Sequence, residues 1–520
     1  MASLAMSNFE HDALSSRTRV LLFLLPLTAF LLNLGGAPLF DVDEGAFSEA
    51  TREMLTRVDF LSTWLNGMPR FDKPILIYWC QAIFTWLLGP SEWSFRLPSA
   101  LAGAGWCYAI GIFTAQRAGR DAGWFACIVA ATSLGVHIIG RAATADALLN
   151  MLIALSLLDG WRHLESGKRA PLLRSFLWIA LGTLTKGPIA LLIPGATTLI
   201  YCLTAGRLRD WVKSVFDPWG WLILLAVAAP WYAAALAIHG QAFIDGFLLK
   251  HNVARFSGSL EGHSGSHFYY LILVPVLLLP WLSWLIATVK NLPKDLRDPL
   301  RRFLWIGCLF VIAFFSFSGT KLPHYALYGC TPLFILIALN RDAVQRVWLG
   351  VLPAFAMLAL FAALPLVIRH SLTAGWIKDA YYAMQFSRID QIVDWKYTFV
   401  IGSVIVLSVL MCFAPRIDTW RKMTAIALLQ IFVLTLAVAP LLGELLQGPI
   451  ERAGVAARRY PDAVQWNINA PSFSVYRQRV TPSRDPVPGE IALTRADRLP
   501  PNATVDVLSK EGAIMLVRAK

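Results

Sequence analysis

One feature limits this chain more than any other: apolar runs near the length that crosses a bilayer recur thirteen times by our count. The first, "VLLFLLPLTAFLLNLGG" at 20–36, carries no charge. About 20 such residues in a helix span the ~30 Å hydrocarbon layer. Of 520 residues, 57% are hydrophobic, and Trp and Phe number 20 and 30. A water-soluble core cannot cover that much apolar surface, so lipid must cover part of it. The first run is long and no small-residue cleavage site follows it, which reads as a retained signal anchor.

The net charge of +13 could point to nucleic acid, but its arrangement excludes that class. The basic residues form short clusters between apolar runs, such as Arg17/Arg19, Arg117/Arg120, Arg207/Arg209/Lys213 and Arg416/Arg421/Lys422. Such clusters mark cytoplasmic loops. Placing each cluster in the cytoplasm gives spans at 18–38, 96–115, 122–140, 144–160, 174–186, 187–205, 218–238, 268–289, 303–318, 323–340, 347–368, 397–413 and 423–442. The N-terminus is then cytoplasmic and the tail external. The run "ILIYWCQAIFTWLL" at 75–88 is only about fourteen residues. If it spanned, every later basic cluster would change side, so it reads as an interfacial or re-entrant helix. The seven Cys lie in or beside apolar runs without a CxxC pair, and imply neither disulfide nor thiolate metal site.

The expectation is an all-α polytopic membrane protein with about 13 transmembrane helices and a small C-terminal α/β domain outside the membrane. Its domains are 1–445, with a first external loop at 39–95, and 446–520. Phe47, Ala50, Met54 and Val58 share a helical stripe, predicting an amphipathic helix on the outer surface with Glu49 and Glu53 solvated. In the tail, "SFSVYR", "EIALT" and "TVDVLSKEGAIMLVRA" read as strands, the last with a turn at 509–512.

Parity places most chemistry-bearing residues on one face. "FDVDEGAFSEATREML" puts Asp41, Asp43 and Glu44 directly after the first span. Asp146, in "GRAATADALL", falls on the same side near Arg141. A solvated loop and an Asp146–Arg141 structural pair are the ordinary readings; carboxylates at the mouth of a bundle point to function. Lys73 ("FDKP"), Lys186 ("TKGP"), Arg255 ("KHNVARF") and Lys321 ("SGTKLPHY") lie at external ends of spans. For one Lys, snorkelling to headgroups is the simpler account. Four such cations opposite carboxylates suit a bound phosphate, whose oxygens take charge-assisted hydrogen bonds. Asp72 or Glu44 with a His could ligate a divalent metal, although no HxH or HxxxE spacing is present.

Taken in order, "DVDEGAFSEATREML", "LNGMPRFDKPILIYW", "EWSFRLPSAL", "RAATADALL", "LTKGPIALLIPG", "HNVARFSG", "HSGSHFYYL" and "FFSFSGTKLPHYALYGCTPLFIL" resemble the bacterial lipid A aminoarabinose transferases and the wider protein O-mannosyltransferase group of GT-C glycosyltransferases. The resemblance covers about 18–340 by motif and the rest by layout. It implies a GT-C fold, an active site facing the periplasm from the bacterial inner membrane, and a polyprenyl-phosphate-linked sugar donor with no nucleotide cofactor. The partners it implies are membrane lipids, that donor and an acceptor such as lipid A, with no nucleic acid. By motif Asp43 matches the family's catalytic acid and Asp146 its second carboxylate, with Glu44 in support. Lys73, Lys186, Arg255 and Tyr325 match positions near the donor phosphate or the cavity, and Lys321 joins the donor-phosphate set as an external cation. Asp72 with His251 or His263 matches a region able to hold a divalent metal.

The chain departs from the family in its first loop, where Asp-Glu-x-Arg-Tyr becomes Asp43-Glu44-Gly45-Ala46-Phe47, and in Asp72 where an FEKP-like motif has Glu. These changes bear on the sugar and acceptor. The implied reaction is in-line displacement with inversion at the anomeric carbon, the cations holding the leaving phosphate. Rivals are a protein O-mannosyltransferase-like or other envelope-glycan transferase, and a lipid-sugar transporter or flippase. The transporter fits less well, because most span centres carry no charge and no inverted repeat is visible.

Overall fold

The computed structural model describes residues 14–254 and 265–520 and is mostly helical. The N-terminal part contains α1 (Ser16–Leu31), α2 (Asp43–Arg57), α3 (Leu76–Leu88), α4 (Glu92–Thr132), α5 (Leu134–Ile139), α6 (Asp146–Ser166), α7 (Arg169–Lys186), α8 (Ile189–Thr204), α9 (Leu208–Val215) and α10 (Pro218–His239). Long helices follow at Pro299–Ser316, Val347–Thr373 and Trp395–Phe413. Among the described residues six helices are long and apolar enough to cross a membrane: α4, α10, these three, and 419–446. Shorter apolar helices include α3, α8 and the 323–339 segment.

The 41-residue α4 is not a straight rod. Gly119 has φ +84° and ψ 168°, and the two arms fold against each other there. A Cβ on Gly111 would lie 3.0 Å from that of Cys127, and one on Gly123 would lie 2.7 Å from the Gly111 carbonyl oxygen. Residues twelve to sixteen positions apart touch this way only in a hairpin, since a straight helix would separate them by ~18 Å or more. Gly111, Ala115, Gly123 and Cys127 are small residues at four-residue spacing, which lets helices approach closely in lipid. One apolar element thus forms two packed arms.

This hairpin is central: α1, α6 and the helix Cys330–Leu339 all pack on it. Phe125 contacts Trp281, Trp284 and Trp420 edge-on, and the buried indoles find partners, Trp106 in Thr331 Oγ1 (2.7 Å) and Trp281 in Thr132 Oγ1 (2.9 Å). The outer helices expose apolar side chains instead. Leu222, Leu225 and Leu236 of α10, Leu352, Leu360 and Leu366 of Val347–Thr373, and Phe399, Val406 and Leu410 of Trp395–Phe413 all face outward. Apolar surface on that scale is compatible with lipid and not with water. The chain is a multi-pass membrane protein.

The tail carries a four-stranded sheet in the order β3 (Val464–Gln465), β4 (Ile491–Arg495), β6 (Ile514–Ala519), β5 (Val505–Glu511). β3–β4 is parallel and the other pairs are antiparallel. Ile491, Leu493, Ile514 and Leu516 pack on one face with Ile450 and Phe473, while Ala492, Met515 and Val517 pack on the other with Trp466. That alternation is the two-residue period of a strand. "EIALT" is therefore a strand, and the last hairpin turns at Gly512–Ala513, overlapping only the last residue of the expected turn at 509–512. "SFSVYR" is not a strand: it forms the helix Pro471–Arg477. Pro471 occupies its first position, where a missing N–H costs nothing.

A two-stranded ribbon, β1 (Trp64–Leu65) and β2 (Met68–Pro69), follows α2. α2 itself corrects the expectation of a surface helix with a solvated acidic face. Glu49 and Glu53 are fully buried. Glu49 accepts from Arg52 (2.6 and 2.7 Å), and Glu53 accepts from Arg57 Nε (3.0 Å) and Gly67 N–H (3.1 Å). The helix Pro471–Arg477 covers α2 from outside, so its charged side faces protein rather than water.

Candidate functional site

α6 and α7 run antiparallel, which brings the first residue of one beside the last of the other. Asp146 opens α6 and Lys186 closes α7, each at the helix end whose dipole favours its charge. Lys186 Nζ donates to Asp146 Oδ1 (2.5 Å) and to Tyr328 Oη (2.9 Å), with His324 Nε2 at 3.2 Å. It also lies 5.6 Å from the ring centroids of Tyr325 and Tyr328. Tyr328 Oη and Thr144 Oγ1 each donate to Asp146 at 3.3 Å. At the other end of the pair, Asp159 accepts from Arg162, Arg174 and Trp178, so both ends are tied by charge. Gly187, at φ +81°, turns the chain from Lys186 into α8.

Asp43 opens α2. Among the described residues its carboxylate has no hydrogen bond or ion pair, and it is open to solvent while ringed by protein charge. Partial desolvation by the protein walls around it raises its pKa above the ordinary carboxylate value, and the Asp146 charge adds to this; Lys186 and Lys73 pull it back. Asp43, Asp146, Lys186, Lys73 and Asp72 therefore act on one another electrostatically within one site. Lys73 Nζ donates to Asp72 Oδ1 (3.0 Å), and Arg70 donates to Asp72 Oδ2 (2.8 Å) while its guanidinium lies over the Phe47 ring (5.4 Å). A cavity of about 320 Å³ opens beside them, lined by Arg70, Phe71, Asp72, Gly246 and Lys250 among others.

Glu44 differs from its neighbour. It is buried, and Arg96 donates to both of its oxygens at 2.8 Å. Phe40 N–H (2.9 Å) and Ala143 N–H (2.7 Å) donate to it as well. The Arg96 charge holds Glu44 below the ordinary value against the opposing effect of burial, the largest single influence. Arg96 also donates to the carbonyls of Leu34 (2.9 Å), Ala37 (2.7 Å) and Pro38 (2.9 Å). Both Glu44 oxygens are thus occupied by two donors each, and Glu44 shapes the loop.

Other expected residues also move. Lys321 is buried, and its ammonium donates to the carbonyls of Ser316 (3.0 Å) and Ser318 (2.8 Å), closing the helix Pro299–Ser316. Arg141 does not pair with Asp146; it donates to Phe30, Leu32 and Asn33 carbonyls at the end of α1. Tyr325 is buried between Phe315 (4.7 Å) and His324 (4.8 Å), its ring turned to Lys186. Arg255, His263 and the His251 side chain lie outside the described residues. Asp72, the remaining expected metal ligand, gives its oxygens to Arg70 and Lys73. Among the described residues no group of three His, Cys, Asp or Glu could hold a metal ion. Among the described residues the Asp72 carboxylate is thus engaged by two cations.

Sequence reading missed Arg96, Arg70 and Tyr328. Arg96 carried a signal, being a lone Arg one turn into an apolar helix. Tyr328 did not, because its role depends on the turns of Pro323–Gly329 that aim it at Lys186.

The model of the dolichyl-phosphate-mannose-protein mannosyltransferase family matches residues 72–233. The undecaprenyl phosphate-alpha-4-amino-4-deoxy-L-arabinose arabinosyl transferase of Shewanella sediminis is 28% identical over 318 residues, 59% of this chain and 57% of that protein. The protein of the same name from Pseudomonas paraeruginosa is 30% identical over 326 residues, covering 61% of this chain and 58% of that one. The chain thus spans less than two-thirds of the length of these relatives. In fold the likeness runs further. The crystal structure of ArnT from Cupriavidus metallidurans bound to undecaprenyl phosphate superposes with a TM-score of 0.76 at 19% identity, over 97% of this chain and 98% of that one. From end to end this chain therefore has the ArnT-like GT-C fold, and in sequence it resembles the aminoarabinose transferases.

Proposed function

We propose that this protein is an integral-membrane glycosyltransferase that moves a sugar from a polyprenyl-phosphate donor to an envelope acceptor, with lipid A the foremost candidate. The observation that carries the reading is the unpaired Asp43 carboxylate opposite the Lys186–Asp146–Tyr328 cluster at one end of an apolar bundle. The two relatives named for aminoarabinose transfer support the sugar class. The charge pattern supports thirteen passes, an inner-membrane location with the site on the periplasmic side, and a membrane domain at 1–445 carrying a periplasmic domain at 446–520.

In this reading the donor's anomeric carbon–phosphate oxygen bond breaks as the acceptor oxygen attacks from the opposite face, which inverts the anomeric configuration. Negative charge grows on the departing phosphate, and Lys186, Lys73 and Arg255 stabilise it. Asp146 keeps Lys186 at the end of α7, and the Tyr325 and Tyr328 rings flank its ammonium group. Asp43 orients the acceptor and accepts its proton where the acceptor is a hydroxyl. An ionised phosphate acceptor needs no base, and Asp43 then acts by orientation alone.

The test is mass spectrometry of lipid A from cells with and without the protein, complemented by wild type or Asp43→Asn. A pentosamine mass difference that wild type restores and the variant does not is the expected result. Unchanged lipid A with a hexose change on envelope proteins would favour the second reading, protein O-glycosylation, to which the family match at 72–233 lends support. Full transfer by Asp43→Asn would overturn the site.

A further inference from the structure

We infer that Ser472, in the tail helix Pro471–Arg477, is a positioning residue that sets Asp43 by clamping Asp41; the inference rests on the reading of Asp43 given above. Ser472 and Asp41 are 431 positions apart in the chain. The Ser472 N–H donates to Asp41 Oδ1 at 2.9 Å, and its hydroxyl donates to Oδ2 at 2.5 Å. Both carboxylate oxygens are thus held by one fully buried residue. Two residues on, Asp43 begins α2, whose N-cap, Val42, offers no side-chain hydrogen bond. The first-turn amides of Glu44 and Gly45 donate instead to the Phe40 carbonyl (3.0 and 3.4 Å), so the start of α2 is set by the chain at 40–41, which Ser472 holds.

The approach is close and depends on sequence. A Cβ at Gly45 would lie 2.6 Å from the Ser472 nitrogen and would strike the Asp41 carboxylate. One turn further along the tail helix, Tyr476 Oη accepts from Leu39 N–H (2.7 Å) and donates to Glu92 Oε1 (2.8 Å). Residues 39 and 41 are therefore fastened to successive turns of one short helix. From the inner side, Arg96 and Glu44 hold 34, 37, 38 and 40. The strand of chain leading to Asp43 is gripped from both sides, and one grip belongs to the tail. A displacement of about 1 Å at a reacting group can cost on the order of 100-fold in rate, so a grip two residues away matters to chemistry.

The experiment uses the full-length protein in detergent, with undecaprenyl-phosphate-linked aminoarabinose and lipid A as probes. Ser472→Ala removes the hydroxyl donor and is expected to lower kcat by roughly 10-fold with KM for the donor within about twofold. Ser472→Thr restores the hydroxyl and is expected to recover most of kcat. Ser474→Ala, which removes a neighbouring tail contact to Asn66 Oδ1 (2.7 Å), controls for docking and should leave kcat unchanged. Wild-type kcat in Ser472→Ala overturns the clamp, as does an equal loss in Ser474→Ala or a failure of Thr to rescue. Asp43→Asn in the same assay separates the two ideas. If it is dead while Ser472→Ala is normal, only the clamp falls; if it is fully active, the reading of Asp43 falls and takes the clamp with it.

Discussion

Replacing Arg96 by Met should destabilise the protein chiefly by stranding Glu44, and the size of the effect follows from the geometry. The pair is almost sealed, with side chains 4% and 6% exposed and contacts of 2.8 Å. At that separation and an effective dielectric constant of about 20, unlike charges attract by about 6 kcal/mol. Desolvation takes back part of this, and breaking a buried pair from one side costs ~3–5 kcal/mol in practice. Three backbone carbonyls lose a donor as well. A loss of ~3 kcal/mol that falls on the unfolding step speeds unfolding on the order of 100-fold. The assay is the half-life of folded protein in detergent at a fixed temperature, read by size-exclusion monodispersity. Adding Glu44→Gln to Arg96→Met removes the unpaired charge and should lengthen the half-life again, giving a positive coupling in the double-mutant cycle. If the double variant decays as fast as the Arg96→Met single, the stranded carboxylate is not the source of the cost and the structural role given to Glu44 is wrong.

Lys186→Met should lower kcat by about 10²–10³-fold, the cost of losing one transition-state charge stabiliser; donor-saturated turnover measures it. Because the Asp43 pKa is raised, its ionised form is lost as pH falls through a value above the ordinary carboxylate range, so the acid limb of kcat should lie above ~4. Lys186 lowers that pKa, so the residual activity of Lys186→Met should show the limb shifted upward. Burial pushes Asp41 up to about 7, partly opposed by its hydrogen bonds from Ser472. Folded protein then holds more protons at Asp41 than unfolded protein does between about pH 4 and 7, so its contribution to stability falls as pH rises across that window. Proteolytic release of the tail should increase from pH 5 to 8, and Asp41→Asn should flatten the trend. Chelation by EDTA should leave transfer unchanged, since Asp72 is already paired with Arg70 and Lys73; loss restored by a divalent cation would refute this.

What the sequence made legible follows the range of the forces involved. Apolar runs and charge clusters act over whole helices, and a helix stands at each expected run, including the hairpin that joins 96–115 to 122–140. The Lys186–Asp146 meeting was readable as two charges on one side of the membrane, because antiparallel neighbours bring helix ends together. The misreadings came from two sources: a partner far along the chain, and a local backbone contact or helix start. Glu49 and Glu53 look solvated on a helical wheel, but the stripe cannot show that the tail helix covers the other side. Lys321 looks like a phosphate ligand, while the carbonyls at 316 and 318 claim it locally. "SFSVYR" alternates like a strand, but the Pro before it starts a helix whose residues are needed on both faces.

The distance in sequence between Asp41 and Ser472 also orders events in time. The first loop leaves the ribosome 431 residues before its tail partner exists. At ~5–20 residues per second that interval is about 20–90 s. Through all of it, the nascent chain presents its lysines and carboxylates at the membrane surface without the outer half of the grip on 39 and 41. The tail is therefore a checkpoint on assembly: a chain stalled before Ser472 can insert its helices and still lack the contacts that seat the start of α2.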